Sequence, residues 1–157
     1  MTEKPFWDAR KSATLSLVVT WIGLVLAIVA APLLVPALQS GWLTAAGLSG
    51  SALARAVGPM YACLAFGIAA LIILLFLLGD IRRGDVFTTA NVSRLRLISY
   101  CGFAIMLACV VGAVIAPMHA FFTLVALVAG FMGLLMRVIK NVIESARLLK
   151  EDADYTI

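Results

Sequence analysis

Charge is what this chain has least of. Only 13% of its 157 residues are charged, whereas soluble domains carry about 25%. The deficit is concentrated. No Asp, Glu, Lys or Arg occurs in the 43 positions from Ser12 to Ala54, the 24 from Ala56 to Gly79 or the 40 from Leu97 to Met136. A bilayer-spanning helix needs about 20 apolar residues, and 64% of the residues are hydrophobic. One water-soluble domain is thereby excluded, and a small polytopic membrane protein is implied.

Other absences narrow the function. The three cysteines, Cys63, Cys101 and Cys109, are an odd number inside apolar segments, so neither a disulfide framework nor a zinc site is expected. His119 is the only histidine; on a short turn it caps a helix or faces water, and haem or metal ligation would need further ligands. No acid, lysine or arginine falls near the centre of a span, which weakens a proton or ion pathway. Ser16, Thr20, Ser99 and Thr123 are expected to bond to carbonyls of their own helices. No nucleotide loop, Ser–His–acid set, paired carboxylates or repeated broken spans are visible. An enzyme is not expected, and neither is a cofactor.

The chain divides into four spans, giving an all-α integral membrane protein. They cover about residues 12–37, 56–79, 97–116 and 121–138, with an inner connection over 80–96 and a C-terminal extension over 139–157. Lys4, Arg10 and Lys11 precede the first apolar run, read as an uncleaved span rather than a removed leader. Pro32 and Pro36 interrupt that span, and a kinked continuation to Ala37 is favoured over an end at Ala31. Pro59 falls in the first turn of the second span. Gly79-Asp80 and Gly84-Asp85 read as turns. Thr88 is an N-cap candidate for a helix starting at Thr89, with Phe87 and Val92 spaced as a hydrophobic staple. Pro117-Met118-His119-Ala120 is a tight outer turn. The fourth helix is expected from about Phe121 to Leu149, extending into the cytoplasm, because Leu135, Ile139, Val142, Ala146 and Leu149 keep its apolar period.

Orientation follows from the basic residues. Of 12 lysines and arginines, only Arg55 lies on a predicted outer segment. The positive-inside rule then puts both termini and the 80–96 connection in the cytoplasm, in a bacterial inner membrane. A nucleic-acid surface is the weaker explanation of the +4 net charge, since the charges sit at span ends.

Small residues recur at four-residue steps: Ala104, Ala108, Gly112 and Ala116 in the third span, and Ala126 and Gly130 in the fourth. Such strips allow close backbone approach, either within one four-helix protomer or between protomers of a homo-oligomer. The candidate docking face for a soluble partner combines Asp85, Phe87, Asn91, Arg94 and Arg96 with Glu144, Arg147, Glu151, Asp152 and Asp154.

The run Gly84-Asp85-Val86-Phe87-Thr88-Thr89-Ala90-Asn91-Val92-Ser93-Arg94-Leu95-Arg96 resembles the inner-loop motif of the bacterial domain-of-unknown-function family 2975. The closing segment from Ala146 to Ile157 is similar to that family's usual end, except that Tyr155 replaces an expected leucine. The resemblance covers nearly the whole chain and implies a four-span membrane protein without an assigned reaction. Some members are encoded beside small helix-turn-helix regulators, which implies a cytosolic regulatory protein as partner. The leading expectation is therefore an interaction or regulatory module that docks a cytosolic partner and responds to lipid or a small apolar ligand. The alternatives are a transporter or transporter accessory subunit, or a structural membrane subunit.

Overall fold

In a computed structural model, which describes residues 9–39, 50–84 and 88–154, the chain is four long helices. These are α1 (Ala9–Gln39), α2 (Gly50–Arg83), α3 (Thr89–Ile115) and α4 (His119–Asp154). All four are long and apolar enough to cross a membrane. Among the described residues they pack in chain order, α1 on α2, α2 on α3 and α3 on α4, with the α3–α4 seam the most extensive. Most large apolar side chains stay exposed, from Leu15 in α1 to Leu149 in α4. That pattern suits a chain whose solvent is lipid, where tails are as apolar as leucine and little drives side chains inward.

Both prolines of α1 lie inside a helix that continues to Gln39. Pro32 and Pro36 remove the N–H groups that would serve the carbonyls of Ile28 and Pro32. A neighbouring helix reinforces this weakened stretch: the Tyr61 hydroxyl of α2 donates to the Ala31 carbonyl at 2.9 Å. Donors from adjacent helices are one way a spanning helix tolerates proline. Lower down, the Thr20 hydroxyl donates to the Ser16 carbonyl at 2.7 Å, within its own helix.

α2 departs from the sequence reading at both ends. It begins at Gly50 rather than near Ala56, because Leu53 is buried against Leu34, Val57 and Met60 and Ala56 enters the main core. Pro59 therefore sits in the third turn, not the first. At the other end Gly79-Asp80 is helical, and the chain leaves the helix at Gly84, whose φ of 94° suits glycine. The Gly84 N–H donates to the Ile81 carbonyl at 3.1 Å, and Arg82 and Arg83 occupy the last turn, where the helix dipole favours cations. The 80–96 connection is thus mostly helix.

α3 starts at Thr89 with Thr88 as N-cap; the Thr88 Oγ1 accepts from the Asn91 N–H at 3.3 Å. Phe87 lies outside the described residues, as do Asp85, residues 1–8 and residues 40–49. α3 closes at Ala116, whose N–H donates to the Gly112 carbonyl at 2.9 Å. The His119 Nδ1–H then donates to the Ala113 carbonyl, tying the start of α4 to the last turn of α3.

Glycines set the α3–α4 spacing. A Cβ on Gly102 would lie 3.1 Å from the Gly133 Cα and 3.2 Å from the Ala129 oxygen, so the two backbones touch there. This approach brings the Gly133 carbonyl to the Ser99 hydroxyl at 2.8 Å, so Ser99 bonds across helices rather than within its own, correcting the sequence expectation. Gly112 faces the fully buried Phe122 ring, and Gly130 faces the Met106 thioether. Ala116 and Ala126 are buried with Phe122, while Ala104 and Ala108 are half-buried.

The core also brings two thiols together. Cys63 of α2 and Cys109 of α3 hold their Sγ atoms 3.2 Å apart, and Cys101 stands apart from them. A disulfide needs about 2.05 Å, so the two sulfurs are near neighbours that are not bonded. Mild copper–phenanthroline oxidation of the folded protein is expected to remove two hydrogens and link Cys63 to Cys109 within one chain. Labelling should then find one free thiol, Cys101, of the original three. Three labelled thiols after oxidation would contradict this α2–α3 packing.

Candidate functional site at the basic end

The end of α2, the start of α3 and the late turns of α4 meet at one end of the molecule. There, Arg94 acts as a clamp. From α3 its guanidinium reaches back to α2, pairing with the Asp80 carboxylate and lying 5.9 Å from the centroid of the Phe76 ring. The same Nη1 donates to the Asn91 Oδ1 at 2.9 Å. Asp80 and Phe76 are one helical turn apart on α2, so a single side chain on α3 can reach both. Asn91 is only 1% exposed. Unlike the exposed docking residue that the sequence suggests, it is buried, supporting Arg94 from within the first turn of α3.

The second group lies between α3 and α4. Arg96, Glu144 and Arg147 line a recess of about 230 Å³ with Thr89, Val92 and Ser93. Lys140 donates to Glu144 at 2.6 Å and to the Asn141 Oδ1 at 3.3 Å. Glu144 is eight residues beyond Met136, where the apolar part of α4 ends. The hydrogen bond and charge of Lys140, then the charges of Arg96 and Arg147, hold its carboxyl below the usual carboxylate range. The Arg147 Nε is buried without a hydrogen-bond partner among the described residues. Neither Arg96 nor Arg137 forms an ion pair among those residues.

A neighbouring recess of about 240 Å³ is lined by Arg96, Ser99, Tyr100, Arg137 and Lys140. Of these, only Arg96 stood among the docking candidates. The missed signal was helical spacing: Arg137, Lys140 and Glu144 follow three- and four-residue steps along α4, and so share the face that α3 covers. The structure therefore brings Arg96, Glu144 and Arg147 together and assigns Arg94 and Asn91 to the clamp. It leaves Asp85 and Phe87, and the side chains of Glu151, Asp152 and Asp154, outside the described residues. Among the described residues, no group of three or more His, Cys, Asp or Glu side chains could hold a metal ion.

Four apolar helices with their charges gathered at helix ends define a small multi-span helical membrane protein. The chain belongs to the family of proteins of unknown function designated DUF2975, whose pattern it matches over residues 30–157. No curated protein and no solved structure matches it.

Proposed function

We propose that this protein is an interaction or regulatory module of the bacterial inner membrane, with both termini in the cytoplasm and its basic end docking a cytosolic partner. The observation that supports this most directly is the recess in which Arg96 from α3 meets Glu144 and Arg147 from α4. Residues about 50 positions apart in sequence converge there with cations in excess, on a helix that continues to Asp154. The family resemblance makes a small helix-turn-helix regulator the candidate partner, in which case the docked surface of that regulator is acidic.

Recovery of the full-length protein from bacterial membranes tests the reading. The charge-reversing pair Arg96→Glu and Arg147→Glu leaves the Arg94 clamp intact and is expected to insert normally while losing one specific cytosolic protein. An unchanged set of co-purified proteins would overturn partner docking at this recess. Reporter fusions at both termini test orientation separately, and an external C-terminus would overturn the cytoplasmic placement of the site.

A further inference from the structure

The polar recess at Arg96, Arg137 and Lys140 does not stand alone. One turn further along each helix, Tyr100 is followed by Phe103 and Arg137 is preceded by Leu134. These two apolar residues begin a groove of about 590 Å³ between α3 and α4. The groove is walled by Met106, Val110, Leu127 and Phe131 as well, and almost all of its lining is apolar. From Phe103 to Val114 the lining advances about 16 Å along α3, close to half of the roughly 30 Å hydrocarbon core of a bilayer. It begins about 10 Å along α3 from Arg96 and crosses the middle of the 97–116 run, so a chain descending from the charged end meets its near half, from Phe103 to Val110.

The charge lies only at the mouth. Arg96 and Arg137 have no ion pair among the described residues, Lys140 is shared with Glu144, and the Tyr100 side chain is exposed beside them. The recess thus offers net positive charge with hydroxyl groups at the level where α3 and α4 leave their uncharged runs. A cationic recess one helical turn from the start of an apolar groove suits one chemistry: a phosphodiester with a hydrocarbon tail attached. Basic pockets between spanning helices favour anionic headgroups in general.

We propose that the α3–α4 seam binds one anionic phospholipid, its phosphate held by Arg96, Arg137 and Lys140 and one acyl chain entering the groove past Phe103 and Leu134 toward Val110. A bilayer supplies this ligand in the required orientation, with phosphate at the interface and chain inward. The site gives the lipid response expected from sequence a location; it shares Arg96 with the docking recess, but Arg137 and the groove residues lie outside that recess, so the substitutions at Arg137 and Val110 test lipid binding separately from docking.

Native mass spectrometry of the detergent-solubilised full-length protein tests the site with phosphatidylglycerol, phosphatidylcholine and glycerol phosphate as probes. The wild type is expected to retain phosphatidylglycerol in preference to phosphatidylcholine. Arg137→Gln with Lys140→Gln should reduce that preference by on the order of tenfold, leaving phosphatidylcholine retention unchanged. Val110→Trp, which fills the groove at an exposed position, should lower phosphatidylglycerol retention without altering helix content. Glycerol phosphate should compete poorly, because it lacks the chain. Equal retention of the two lipids, or a preference that survives the double substitution, would overturn the headgroup assignment. Undiminished retention in Val110→Trp, or displacement by glycerol phosphate, would overturn the groove assignment. Dimers that form through this seam and exclude lipid would show that a second copy occupies it.

Discussion

Gly102→Leu is expected to pry α3 from α4 and to cost about 3 kcal/mol or more, above the usual range for an overpacked core. The reason is what a side chain there would meet: the Cα and N of Gly133 and the Ala129 oxygen, all backbone, at 3.1–3.2 Å. No rotamer change relieves a clash with a main chain, so the helices themselves must separate, breaking the Ser99–Gly133 hydrogen bond as they do. Gly112→Ala is a milder case. Its Cβ would come within 2.7 Å of the Phe122 ring, which is buried but can move. A loss of about 1–3 kcal/mol is expected, partly restored by adding Phe122→Leu. Gly67 faces open space, so Gly67→Ala should be neutral or slightly stabilising through helix propensity. Unfolding of the three variants in a mixed-detergent titration gives the order directly. Wild-type resistance in Gly102→Leu would contradict the α3–α4 contact described above.

These glycines show how sequence periodicity informs the fold and where it stops. Gly112, Ala116, Ala126 and Gly130 stand out by four-residue spacing, and all four face inward along α3–α4. Yet spacing does not say what a small residue faces, and the closest approach falls at Gly102 and Gly133. Neither belongs to the longest small-residue strip. What distinguishes them is register between two helices, a non-local property that no single-helix pattern contains. The four spans were legible because their signal is compositional. The ends of α2 were less so: Gly79-Asp80 resembles a turn in isolation, whereas in the fold Asp80 stays helical and pairs with Arg94 across to α3.

The same distinction governs the basic end. Its charges were visible as clusters, and the N-cap at Thr88 was visible because capping is a local event. The division of labour among the charges was not visible. Arg94 and Arg96 are two positions apart and therefore point to different sides of α3. One turns to Asp80 on α2, and the other lines both recesses against α4. The Cys63–Cys109 contact was hidden for a comparable reason, since 46 residues separate two unremarkable apolar positions.

The clamp supplies the second large effect. Asn91→Leu should destabilise the protein by about 1–3 kcal/mol, the cost of leaving buried polar partners unsatisfied. Asn91 is almost fully buried, its N–H is capped by Thr88, and its amide oxygen holds the Arg94 guanidinium in place against Asp80. Leucine keeps the bulk but abolishes the acceptor. Arg94→Ala should cost less, about 1–2 kcal/mol, because both members of the Asp80 pair retain roughly a quarter of their exposure and water can replace part of the interaction. A double-mutant cycle separates the two effects. Asp80→Ala and Arg94→Ala should be non-additive, since each alone strands the other's charge, while Asn91→Leu should weaken their coupling. Hydrogen exchange is the local readout: amides in the last turn of α2 and the first turn of α3 should lose protection in Asn91→Leu, while those around Gly102 and Gly133 keep theirs. Uniform protection at both ends would mean that Arg94 and Asp80 merely rest beside each other, and that the α2–α3 junction is held by the apolar core alone.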